Sequence, residues 1–122
     1  MKKENPWSLE YRDGNGNRYR FREGLDPNSV FFDYTPITPA LSSSGRYSGG
    51  DPAEGVLDDE QAQTLWQWID ELESIGSVDS KTRMKGSGYF RISNAEGIRS
   101  FTVRRGVRLN EFSKYLETLR HP

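Results

Sequence analysis

The stretch from Trp7 to Arg22 constrains the fold of this chain more than any other part of it. Trp7, Leu9 and Tyr11 alternate with Ser8, Glu10 and Arg12. After Asp13-Gly14-Asn15-Gly16-Asn17 the alternation resumes, with Tyr19 and Phe21 set against Arg18, Arg20 and Arg22. Successive side chains of a strand point to opposite faces, so each run has one apolar and one charged face. The residues between the runs favour tight turns and accept positive φ. This pattern predicts an antiparallel hairpin, covered on one face and wet on the other.

The rest of the chain extends that hairpin. Gly24-Leu25-Asp26-Pro27-Asn28 predicts a second turn, and the β-formers Val30, Phe31, Phe32 and Tyr34 a third strand over Ser29 to Tyr34. Pro36 and Pro39 end it or move it to an edge. Asp58 is a good helix N-cap, with Gln61 three residues later as in a capping box, and Asp59 and Glu60 suit the positive end of the helix dipole. Ala62, Leu65, Trp66, Ile69, Leu72 and Ile75 then recur at helical spacing until Gly76. Gly88 to Ser93 and Ile98 to Arg104 predict a second hairpin across Asn94-Ala95-Glu96-Gly97. Leu109, Phe112, Tyr115, Leu116 and Leu119 mark a final helix from about Arg108 to Arg120. The expected fold is α+β, a single domain over residues 1–122 in the order βββ-loop-α-ββ-α. Its antiparallel sheet has about five strands, with two helices packed on one face.

Only 33% of the residues are hydrophobic, and mean hydropathy is -0.86, so the 12% that are aromatic must carry much of the core. The net charge of -1 gives no general field for nucleic acid or an anionic membrane, which argues against a nucleic-acid partner. The absence of cysteine excludes disulfides, thiol catalysis and cysteine-ligated metals. Met1-Lys2-Lys3 leads into Glu4, Asn5 and Pro6 rather than an apolar run, and no stretch approaches the ~20 apolar residues of a membrane span. A cytoplasmic location, with no membrane contact, is the expectation.

Residues 35–56 contain few structure formers. Ser42-Ser43-Ser44-Gly45-Arg46-Tyr47-Ser48-Gly49-Gly50-Asp51-Pro52 predicts a long loop, and long loops in small domains generally serve a function or lack order. Tyr and Arg are favoured anchors in protein interfaces, so Arg46, Tyr47, Ser48, Gly49 and Gly50 form one candidate binding site. Trp68, two residues from Trp66 and off the apolar stripe, is a further candidate contact. The loop lacks the spacing and the lysine of a phosphate-binding P-loop. Arg83-Met84-Lys85-Gly86-Ser87-Gly88 is basic, but reads first as a lead into the following strand.

Arg18, Arg20 and Arg22 are an alternative, anion-binding candidate. Alternate strand residues share a face about 7 Å apart. Tyr19 and Phe21 fall on the opposite face, so the ladder is not a base-stacking platform flanked by charge. Glu10 and Arg12 should face the ladder, with Glu10 able to pair across it. The ordinary reading of such a ladder is a solvated charged face.

No catalytic set emerges. Asp58, Asp59 and Glu60 are explained by helix capping, while Asp33, Asp51 and Glu54 make no recognisable dyad. The tight Asp/Asn alternation of a calcium loop is absent, so no metal site or cofactor is expected. His121, the only histidine, sits beside the C-terminus, a poor place for acid–base work.

Ser48-Gly49-Gly50, followed by a capped helix, a hairpin and a last helix, resembles the emfourin-type inhibitors of metallopeptidases. In that family the Ser-Gly-Gly segment lies near the chain start and leads into a strand. Here it follows an extra hairpin and leads to Asp51-Pro52. The resemblance implies a peptidase inhibitor with the loop as a substrate-like insert. The residues themselves predict a non-enzymatic, protein-binding or regulatory module that uses the 35–56 loop, either as a monomer or as a homodimer.

Overall fold

The alternating hairpin forms, and its two faces set the layout of the whole sheet. The computed structural model of the protein describes residues 7–14, 16–23, 30–37, 50–76, 87–94 and 96–120. Within them lie β1 (Ser8–Arg12), β2 (Arg18–Glu23), β3 (Val30–Thr35), β4 (Ala53–Leu57), α1 (Asp59–Ile75), β5 (Gly88–Asn94), β6 (Gly97–Val103) and α2 (Val107–Arg120). The strands form one antiparallel sheet in the order β4-β3-β2-β1-β5-β6. This is an α+β architecture.

The first strand is therefore internal. It pairs with β2 on one side and with β5 on the other, where Leu9 faces Ile92 and Tyr11 faces Phe90. That pairing joins the two hairpins into one sheet.

The sheet has six strands rather than five. The extra strand, β4, overlaps the end of the stretch 35–56 expected to be loop, and pairs with β3 as an edge. Ala, Glu and Gly are poor strand formers, so Ala53-Glu54-Gly55-Val56-Leu57 carries little strand signal of its own. Tertiary context supplies it. Leu57 is buried, and Gly55 lies opposite Phe32, whose ring takes the space of the missing side chain.

Helix packing also differs in detail from a simple layer on one face. The first helix touches both edge strands, β4 and β6, while α2 touches β4 and α1. The capping box forms as expected. The Asp58 carboxylate accepts from the Gln61 N–H at 2.8 Å, and the Gln61 side chain accepts from the Asp58 N–H at 2.9 Å. Leu65, Ile69 and Leu72 face the core from α1, and Leu109, Phe112 and Leu116 from α2. The Tyr115 hydroxyl donates to the Gln61 carbonyl at 3.1 Å and ties the helices together.

The core is largely aromatic, as the composition requires. The Tyr11 ring lies 4.6 Å from Phe90 and 5.2 Å from Phe112, Phe90 stacks on Phe101 at 4.7 Å, and Trp7 meets Trp66 edge-on at 4.9 Å. Each such ring contributes about 1.5–3 kcal/mol through burial alone. At one end of the sheet the guanidinium of Arg120 sits 4.2 Å over the Tyr34 ring. Among the described residues no helix is long and apolar enough to cross a membrane.

Candidate anion site on the open face of the sheet

Because strand side chains alternate, the residues opposite the aromatic core form a second face. The register arranges them in rows across the strands. One row runs Val56, Phe31, Arg22, Ser8, Ser93, Ile98, and the next runs Glu54, Asp33, Arg20, Glu10, Arg91, Ser100. A third holds Thr35, Arg18, Arg12, Tyr89 and Thr102. Summing the five arginines against Glu54, Asp33 and Glu10 gives this face a formal charge of +2, although the chain as a whole carries -1.

A depression of about 330 Å³ lies in the middle of this face, lined by Ser8, Glu10, Arg20, Arg22, Arg91 and Ser93, with Leu9 and Phe21 beneath. Its cause is steric. Ser8 and Ser93 are short and face each other on β1 and β5, while the long arginines stand around them. The volume falls at the lower end of the range for small-ligand sites.

The ladder does not act as a unit. Arg20 and Arg22 line the depression, whereas Arg18 stands opposite Arg12 and Thr35, outside it. Arg20 Nε donates to Asp33 at 3.2 Å, and Arg22 approaches the same carboxylate at 3.9 Å. The expected bond from Glu10 across the ladder is replaced by one along its own strand, where Arg12 Nε donates to Glu10 at 2.7 Å. Residues two apart on a strand share a face, and that contact also relieves the like charges of Arg12 and Arg18 directly opposite. Arg22 also lies 5.9 Å over the Phe31 ring. No carboxylate among the described residues comes within ion-pair distance of Arg91. Its guanidinium is the least committed cation of the site.

Arg91, Ser8 and Ser93 are the residues that sequence reasoning missed. Each sits on a strand facing away from the apolar stripe, and that much was readable. Their meeting with Arg20 and Arg22 depends on β5 pairing with β1, which no local pattern announces.

The other candidates lie elsewhere. Arg46, Tyr47, Ser48 and Gly49 fall outside the described residues, as does the basic segment 83–86. Gly50 is exposed with φ 98°, the left-handed region that favours glycine, and lies beside Arg120. Trp68 is half-buried between the helices, 5.8 Å from Phe112 and 6.3 Å from Tyr115, with the Arg108 guanidinium 4.8 Å over its ring. Arg108 is itself bound by Glu71 and Glu111. Trp68 is remote in sequence and packing from the depression. No group of acidic or histidine side chains among the described residues is arranged to hold a metal ion.

Chemically, three arginines and two serines line one space, with Arg20 and Arg22 held on Asp33, and guanidinium geometry matches carboxylate and phosphate oxygens. Compared with known proteins, the chain matches no protein-family model and no curated protein.

Proposed function

We propose that this protein is a non-enzymatic binding module that presents the open face of its sheet to an acidic segment of a partner protein. The observation that carries this reading is the meeting of Arg20, Arg22 and Arg91 around the Ser8–Ser93 depression. A net positive face on a net negative chain favours an acidic partner locally without drawing polyanions to the whole surface. Phe31, half-buried, and Val56 and Ile98, exposed, lie along the same face and supply apolar contact at the rims. Interfaces commonly combine arginine and aromatic anchors with such apolar area.

The test is amide-resolved NMR of the isotope-labelled full chain, titrated with peptides containing runs of Glu and Asp. The amides of β1, β2 and β5 should shift, and a charge reversal at Arg91 should remove the response. Shifts confined to residues 38–49, with none on β1, β2 and β5, would refute the sheet-face reading.

A further inference from the structure

We infer that the Ser8–Ser93 depression is a phosphoryl subsite, and that the acidic segment it receives carries a phosphoserine or phosphothreonine. The inference rests on the sheet-face reading above and narrows its ligand.

Charge is the first argument. The depression itself is lined by three arginines and one glutamate, a formal +2. Adding the partners that already occupy those groups, Arg12 on Glu10 and Asp33 on Arg20 and Arg22, leaves the sum at +2. A phosphomonoester carries about -1.5 to -2 at neutral pH, so it neutralises this site, whereas a single carboxylate does not.

Geometry is the second. A carboxylate has two coplanar oxygens, which one bidentate arginine satisfies. A phosphomonoester has three terminal oxygens splayed about phosphorus, and suits donors that approach from different directions. Here the donors do so: Arg20 and Arg22 stand on β2, Arg91 and Ser93 on β5, and Ser8 on β1 between the two strands, beside Glu10. Two strand spacings of about 4.8 Å separate β2 from β5, a span that two arginine side chains can close over a central anion.

The depression of about 330 Å³ has room for a phosphoryl group on a short side chain, with the partner's backbone close to the sheet. Glu10 stands on β1 between Arg20 and Arg91, but its carboxylate is held by Arg12 at 2.7 Å, along the strand. Asp33 is the internal competitor, because it occupies both Arg20 and Arg22. A phosphoryl group binds by drawing these two arginines away from it.

The experiment measures affinity by calorimetry for three versions of one peptide, with Ser, Glu or phosphoserine at its centre and apolar residues on both sides. A single-stranded RNA of similar charge is the fourth probe. The phosphopeptide should bind at least about tenfold more tightly than the Glu peptide. Arg91→Gln should weaken both charged peptides and the phosphopeptide by the larger factor, so that most of that advantage is lost, with an unchanged thermal midpoint showing that the fold survives. Asp33→Asn should strengthen phosphopeptide binding several-fold, a gain that damage to the fold cannot produce. Equal affinity for the Glu and phosphoserine peptides, with shifts still on this face, would overturn the phosphoryl subsite and leave the acidic-segment reading standing. Tighter, steeply salt-dependent RNA binding would overturn it in favour of a nucleic-acid ligand. Absence of any response on β1, β2 and β5 would remove both readings.

Discussion

The ring of Tyr11 occupies the space that a side chain on Gly88 would need. A Cβ at Gly88 would lie 2.7 Å from Tyr11 Cε1 and 3.0 Å from Leu109 Cδ1. Tyr11 is packed between Phe90 and Phe112 and cannot swing away cheaply. Gly88→Ala should therefore cost roughly 1–3 kcal/mol, read as a lower urea midpoint with an unchanged slope. Wild-type stability in that variant would show that β5 does not lie this close to β1.

Phe112 touches Tyr11, Phe90 and Trp68, and so connects α2 to the centre of the sheet. It is fully buried. Phe112→Ala should cost about 3–5 kcal/mol, through lost burial and the cavity left behind, and Phe112→Leu should cost distinctly less. Thermal unfolding of the pair checks the order, and equal midpoints for both variants would contradict the packing.

Asn17 looks like an ordinary turn residue in sequence, yet it is 3% exposed. Its side-chain amide donates to Asp13 at 2.8 Å, and its carbonyl oxygen accepts from the Ile37 N–H at 2.8 Å. It thus ties the first turn to the end of β3. Asn17→Ala leaves a backbone donor unmet and should cost about 1–3 kcal/mol. Asn17→Asp keeps the acceptor but sets a carboxylate against Asp13, so it should also destabilise, and added salt should recover part of the loss. A loss that ignores salt would sink that account.

The Asp58 cap can be separated from the Asp58 charge. Asp58→Ala removes the capping bond to Gln61 and should cost about 1 kcal/mol, whereas Asp58→Asn keeps a good cap and should cost little. Circular dichroism during denaturant melts measures both. Identical losses would mean that the charge, not the hydrogen bond, stabilises the first turn.

Tyr115 gives a pH test. Burial, and then the nearby Asp58 carboxylate, push its phenol up to about 12. The phenol is neutral while protonated, and the folded chain keeps that proton to higher pH than the unfolded chain, whose phenols ionise near 10. The associated stability is complete below about 10 and is lost as the pH rises toward 12. Tyrosinate absorbance should show Tyr115 ionising late, and Asp58→Asn should lower its midpoint only partly, because burial is the larger cause. An ordinary midpoint in the wild type would place the ring in water. Tyr19 should also ionise late, raised by burial against the opposing pull of Arg120.

Much of the fold was legible because its signals are local. Period-two alternation in Trp7 to Arg22 reports a strand with one buried face, whatever lies beside it. The Asp58–Gln61 box and the apolar spacing through Ile75 report a helix in the same way. The site was half legible. Arg20 and Arg22 were visible as a charged face, but Arg91 was only one more arginine in a distant strand.

Sequence by itself determined which face of the first hairpin turns inward, where both helices begin, and that aromatic rings would fill the core, because each depends on neighbours a few residues away; Ile75, on the apolar spacing of α1, is nonetheless exposed. Only the tertiary structure decided that β1 is internal, that the weak segment Ala53–Leu57 becomes an edge strand, and that Arg91 and Ser93 join Arg20, Arg22 and Ser8. Strand order depends on fit between residues distant in sequence, such as the room that Gly88 leaves for Tyr11 and Gly55 for Phe32.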